Sequence, residues 1–417
     1  PKPPTASSQT VGRKFGREMD AMEVDDESEL KRHSNGTRNS FRRFGLQNSI
    51  QTNFGEDYVF QIACKDDLSS IAVSLSTNSV KLYSPATGQY LGECKGHAST
   101  INHISFAGPS TLQALHSCSS DGTIRAWDTR TSKQVSEVRA GNSQEVFDFA
   151  FGGPGDNLLA AGCNSQILFW DWRNKKQVAC LEESHMDDVT QVQFVPGHQN
   201  KLLSASVDGL VCMFHIDGDV NDYDHLESVI NVGTSIAKVG FFGEAYQKLW
   251  CLTHIETLSV CDLKDARIES NFENARSLAS ASWSLDQVDY FIDCYMGEDE
   301  RLWVIGGTNS GTMGFFVVDL EGQGGIGSPE AVLEGGHTGI VRSVLPLSNS
   351  KGRGALEGSI FGWSGAEDGR LCCWSSSPSP GFNTHSWVSD AMIMKSSRGK
   401  SRMNRHQPYQ LKLGRFV

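Results

Sequence analysis

Apolar residues are interleaved with polar ones in short runs along the middle of the chain, as in 101–106, 189–195 and 341–347. Runs this short predict half-buried strands, not helices. After each of these three runs comes a second apolar run that ends in small residues, and then Asp121-Gly122, Asp208-Gly209 or Asp368-Gly369. A third run ends on an aromatic residue: Trp127, Phe214 or Trp374. A weaker fourth run follows. Asp-Gly between two runs marks a hairpin, because the tight turn needs positive φ. The pattern therefore predicts small sheets of four antiparallel strands.

The unit recurs. It is led by Gly96-His97, Ser184-His185 and Gly336-His337. His97 and His185 are 88 residues apart, two periods of 44, and His185 and His337 are 152 apart, three periods of about 51. Residues 141–171 fit without the His, with Asn164 in place of the turn Asp before Trp170-Asp171. Weaker copies lie at 58–95, 229–273 and 281–334. That makes seven units over 44–377, about 48 residues each, although six or eight also fit the spacing.

The Gly-His … Asp-Gly … Trp-Asp pattern at 96–128 resembles the WD-repeat family of β-propellers. Within it the chain is most similar to the group of WD repeat-containing protein 89 and its plant relatives. The resemblance implies an all-β fold: one seven-bladed WD-repeat propeller over 44–377, between disordered tails at 1–43 and 378–417. It also implies that an N-terminal strand within 44–54 completes the last blade and closes the ring.

Composition narrows the class. The 417 residues include 21 Phe and 9 Trp, apolar area that must be buried, so the chain as a whole is not disordered. No run of about 18 apolar residues occurs, so no membrane partner is expected. Eleven scattered cysteines form no C-x-x-C pair and read as reduced, buried thiols, which suits the nucleus and/or cytoplasm. Met19 and Met22 come later than residue 1, so the first 18 residues read as an extension. The net charge of −12 hides an arrangement: 1–43 carries +2 and 391–417 carries +7, which leaves −21 between them.

His97, Ser117 (or Ser119) and Asp121 together look like a hydrolase triad. The family reading is a buried structural tetrad of His97, Ser117, Asp121 and Trp127, and its recurrence with members missing favours that scaffold role. Gly-rich stretches at 152–155 and 322–327 lack a following Lys-Ser/Thr, and Gly399-Lys400-Ser401 lacks the leading Gly and preceding strand of a phosphate loop. No His/Cys spacing suits zinc, and Asp217, Asp219, Asp222 and Asp224 lack the twelve-residue calcium pattern. No catalytic residue, metal, cofactor or small-molecule substrate is expected.

Two features point to partners. Trp127-Asp128-Thr129-Arg130 and Trp170-Asp171-Trp172-Arg173 both read W-D-x-R. This resembles the box by which substrate receptors of cullin-4-type ubiquitin ligases meet their adaptor, which implies Asp128, Arg130, Asp171 and Arg173 as partner-binding residues. Ala126 and Asn164 depart from the box. The C-terminal tail carries Lys395, Arg398, Lys400, Arg402 and Arg405 with no acid nearby, a composition suited to an import signal or to RNA phosphates. The expected function is a non-enzymatic protein-interaction scaffold in a nuclear or cytosolic complex. The alternatives are a cullin-4-type substrate receptor, or a ribosome-biogenesis factor whose tail contacts RNA among ribosomal and assembly proteins.

Overall fold

Each repeat folds into four antiparallel strands. In the computed structural model the described residues are 42–375 and 387–388, apart from 54–56, 107, 109–113, 142–143, 217–224, 284–285, 298–299, 322–323 and 348–359. Phe54, the four loop aspartates at 217–224, and most of both expected tails, with all five named basic-tail residues, lie outside them.

The first sheet is Val59–Cys64, Ile71–Leu75, Ser79–Tyr83 and Tyr90–Lys95. The second is Ile101–Ser105, Ala114–Ser119, Thr123–Asp128 and Lys133–Arg139. The third is Val146–Gly152, Leu158–Cys163, Ile167–Asp171 and Lys176–Leu181. The fourth is Val189–Phe194, Lys201–Ser206, Leu210–His215 and Leu226–Asn231. The fifth is Ile236–Phe242, Lys248–Thr253, Leu258–Asp262 and Arg267–Phe272.

A larger sheet holds the rest. One half is Tyr290–Met296, Leu302–Gly307, Met313–Asp319 and Gly325–Leu333. The other half is Val341–Pro346, Ile360–Ala366, Arg370–Ser375 and, from the far end of the chain, Arg42–Gln51. The first strands of successive groups touch in a cycle that returns from Val341–Pro346 to Val59–Cys64. The architecture is all-β and consistent with a propeller.

The sequence dictates the local turns. Gly122 sits at φ +76° behind Asp121, and a Cβ there would come within 2.6 Å of the Gln144 carbonyl oxygen. Only glycine combines that φ with that closeness. Apolar faces then pack sheet against sheet. Ile124, Ala126 and Val138 of the second sheet share one cluster with Phe149, Leu159 and Trp170 of the third. Burying each large side chain contributes about 1.5–3 kcal/mol.

The N-terminal strand makes two joins. Gly45 to Gln51 pair antiparallel with Ser375 to Arg370, and Arg42 to Phe44 pair parallel with Ala331 to Leu333. The second join was not expected; it is what merges the two halves into one sheet. A two-residue strand, Trp387–Val388, pairs parallel with Ile50 and Gln51, inside the stretch expected as tail. Helix Ala275–Ser282 was also not anticipated, since a short run of Ala, Ser and Arg carries no apolar stripe of large residues. It buries Ala275 and Ala279 and packs on Gly325–Leu333, followed by the buried Trp283, whose ring lies 5.5 Å from that of Phe316.

Candidate functional site

The recurrent polar set is brought together three times. His97 Nδ1 lies 3.0 Å from Asp121 Oδ2, and His97 Nε2 lies 2.8 Å from Ser117 Oγ, which also accepts the Trp127 indole N–H at 2.8 Å. His337 is 3.2 Å from Asp368 and 2.7 Å from Ser364, which accepts the Trp374 indole at 2.6 Å. His185 is 3.0 Å from Asp208 and 2.7 Å from Ser204, where Phe214 offers no donor. Each Asp also accepts the backbone N–H of the residue after its His: Ala98, Met186 or Thr338. This clamps the loop between sheets. In the third sheet Asn164 does the same work, accepting the Glu145 N–H at 2.8 Å.

The distances resemble a hydrolase triad, but the chemistry does not follow. Ser117, Ser204 and Ser364 are all fully buried, and the arrangement is repeated around the ring. Each network satisfies buried polar groups that would otherwise cost about 1–3 kcal/mol apiece.

Protonation follows from burial. Burial pushes the imidazoles of His97 and His185 down, against the pull of Asp121 and Asp208. Burial also opposes ionisation of Asp121, but hydrogen bonds from Thr123, Ala98 and His97 hold its carboxyl down at about 2. At His337 burial acts the same way, yet the Asp368 carboxylate and Cys372 thiol at Nδ1 outweigh it and raise the imidazole to about 9.

A pH dependence results. Near 6.5, the ordinary imidazole value, the unfolded chain takes up protons at His97 and His185 more readily than the folded chain does. Stability then falls with pH, by at most about 1.4 kcal/mol per pH unit for each. His337 works in the opposite sense: its folded imidazole, raised to about 9, keeps its proton while the unfolded one gains its own near 6.5, so its contribution to stability grows as pH falls through that value. Between about pH 7 and 5.5 the urea midpoint of wild type should therefore fall relative to that of His97→Gln/His185→Gln, which keeps the opposing slope of His337 but lacks the two buried imidazoles. Equal slopes in the two proteins would contradict the assignment.

The W-D-x-R residues sit in the turns between third and fourth strands of the second and third sheets. Asp128 accepts the Arg130 backbone N–H at 2.9 Å and the guanidinium at 3.1 and 3.3 Å. Asp171 holds Arg173 alike, at 3.0, 3.3 and 3.5 Å. The arginine side chains remain 73% and 72% exposed. Each arginine thus braces its own turn while its fork faces solvent.

Inside the ring, the first strands line a cavity of about 740 Å³. Side chains there bond across to the next sheet. Gln61 Oε1 accepts the Ile104 N–H at 2.8 Å, Asp148 Oδ2 that of Val192 at 2.9 Å, Gln191 Oε1 that of Val239 at 2.6 Å, and Ser343 Oγ that of Ile62 at 3.1 Å. The sequence reading missed this lacing. Its signal was present: Val59-Phe60-Gln61, Val146-Phe147-Asp148, Val189-Thr190-Gln191 and Val341-Arg342-Ser343 all place a polar residue two after a buried Val. Among the described residues no group of three or more His, Cys, Asp or Glu is placed to hold a metal ion, and no helix is long and apolar enough to cross a membrane. All eleven cysteines are free thiols.

Comparison with known proteins agrees with this geometry. The family described as WD domain, G-beta repeat matches residues 88–128. The chain is 59% identical over 390 residues to the WD repeat-containing protein GTS1 of Arabidopsis thaliana, covering 93% of this chain and 98% of that protein. It is 32% identical over 335 residues to the WD repeat-containing protein 89 homolog of Dictyostelium discoideum, covering 78% and 85%. A shorter likeness, 32% over 127 residues, links 30% of the chain to the nuclear distribution protein nudF of Aspergillus flavus. Two WD repeat-containing relatives at 59% and 32% identity thus share more than three quarters of the chain, and the chain belongs to the WD-repeat family.

Proposed function

We propose that this chain is a seven-bladed WD-repeat propeller that acts as a non-enzymatic scaffold, assembling a nuclear or cytosolic multiprotein complex. WD-repeat proteins generally serve as protein-interaction scaffolds. The observation that carries the reading is the contrast between two kinds of polar residue. The histidines and serines that could do chemistry are buried in structural networks, whereas Arg130 and Arg173 stand in solvent on neighbouring sheets.

That exposure favours a second, narrower reading: a substrate receptor that meets a cullin-4-type ligase adaptor through Asp128, Arg130, Asp171 and Arg173. An exposed ion pair is worth only about 0.2–1 kcal/mol, so a partner carboxylate can draw either guanidinium off its own Asp at little cost. Arginine's planar fork suits such bidentate exchange.

Affinity purification of the full chain, with and without ribonuclease, separates the readings. Recovery of the adaptor with wild type and a loss of about tenfold or more in Arg130→Ala/Arg173→Ala is the result the receptor reading expects. Unchanged recovery in that variant ends it. Ribosomal proteins released by ribonuclease, or by truncation at residue 390, would favour the RNA-contacting tail instead. A stable protein set insensitive to all three changes is the outcome of a plain scaffold.

A further inference from the structure

Every outer strand carries an extra residue at one common level, and Gly325–Leu333 carries a second one further along. Pairing between third and fourth strands slips by one at the same level in each group, leaving Leu91, Val135, Val178, Glu227, Glu269, Glu330 and Gln47 unpaired. Such bulges redirect a side chain at a sheet edge. In three consecutive groups the bulged residue is a glutamate with a cation opposite: Glu227 with Lys201 at 2.7 Å, Glu269 with Lys248 at 2.7 Å, Glu330 with Arg301 at 2.9 Å. In the first three sheets it is aliphatic, and Leu91, Val135 and Val178 are 49%, 55% and 53% exposed.

The cation has gone as well. Lys201 pairs with the residue after the third-strand aromatic, and that place is Ala114 in the second sheet and Leu158 in the third. In the second and third sheets, which are neighbours, both members of the ion pair are therefore replaced together. The strands that carry Val135 and Val178 begin with exposed Lys133 and Lys176, beside exposed Arg130 and Arg173. Around Val135 and Val178 the four cations Arg130, Lys133, Arg173 and Lys176 outnumber Asp128 and Asp171, on a chain whose net charge is −12.

We propose that the rim of the second and third sheets docks an acidic amphipathic helix of a partner protein. The proposal rests on the interaction-platform reading and names one partner chemistry for it. Bulged edges disfavour addition of a further strand, so the occupant lies across the strands and meets side chains. Aliphatic positions of the helix cover Val135 and Val178, and its carboxylates face Lys133 and Lys176.

The test uses the full chain and two fluorescein-labelled amphipathic probe peptides, one of Leu and Glu and one of Leu and Lys. Saturable binding of the Leu-Glu probe, with little of the Leu-Lys probe, is expected by fluorescence anisotropy. Val135→Glu/Val178→Glu should weaken it about tenfold or more without changing the melting temperature, and Val135→Ser/Val178→Ser should weaken it less. Undiminished binding by the Glu variant, or no saturable binding by wild type, overturns the proposal. So does sedimentation that shows a dimer dispersed by Val135→Glu/Val178→Glu, which would make a second copy the occupant. If purified complexes persist when the probe fails to bind, the rim assignment falls and the platform reading stands. If no protein co-purifies although the probe binds as expected, the platform reading falls.

Discussion

A chain shortened to residues 58–417 will lose its cooperative melting transition, while one shortened to 36–417 will melt as the full chain does. The strand Arg42–Gln51 explains the difference. It supplies the outer strand beside Arg370–Ser375, and Phe44 to Arg42 tie that group to Leu333 to Ala331. Ile50 is 1% exposed and packs with Trp363 and Leu371, and the Phe44 ring lies 4.1 Å from that of Phe361. Each buried large side chain is worth about 1.5–3 kcal/mol and each ladder hydrogen bond about 1 kcal/mol. Their sum is of the same order as a domain's whole stability, about 5–15 kcal/mol. Removal would also open the edge at Arg370–Ser375 to other chains. Calorimetry of the two shortened proteins decides, and an unshifted transition in 58–417 would contradict the closure.

Trp374→Ala should cost about 3–5 kcal/mol, near the top of the range for a single large-to-small change. The indole is fully buried, donates to Ser364 Oγ at 2.6 Å, and clusters with Phe315, Leu333 and Cys372. Gly336 is small for this reason: a Cβ there would come within 2.6 Å of the ring. Truncation leaves a cavity and strips a partner from a buried hydroxyl. Trp374→Phe keeps most of the volume and loses only the N–H, so it should cost about 1–3 kcal/mol. Urea unfolding at pH 7 measures both. A loss under about 1 kcal/mol in the Ala variant would mean that the site collapses around the gap.

Much of this was legible in the residues. Asp121-Gly122, Asp208-Gly209 and Asp368-Gly369 announced their hairpins because the turn needs a φ that glycine adopts freely. The resemblance to WD repeats put His97, Ser117, Asp121 and Trp127 in one set where the residues alone left Ser117 or Ser119 open, and the hydrogen bonds bring that set together. What escaped depends on neighbours distant in sequence. The parallel pairing of Arg42 to Phe44 with Ala331 to Leu333 has no local signal. The helix Ala275–Ser282 gains its burial from Gly325–Leu333 and not from an apolar stripe of its own. The rim bulges insert one residue into strands whose alternation is already weak, so Val135 and Glu227 were indistinguishable from ordinary outward positions. Whether Arg130 and Arg173 bind or only brace depends on a second molecule, which no single sequence contains.

Ring closure by the chain's own N-terminal strand underlies every surface described, and one crosslink tests it. Ser49 and Cys372 are directly opposite across the joining strands, with Ser49 Oγ 3.6 Å from Cys372 Sγ. Ser49→Cys, oxidised with glutathione disulfide, should form a disulfide between position 49 and Cys372, with two glutathione thiols released per bond. Peptide mapping under non-reducing conditions should show that crosslink in the folded protein and not in urea. A folded protein in which Cys372 stays free, or pairs elsewhere, would contradict the closed ring.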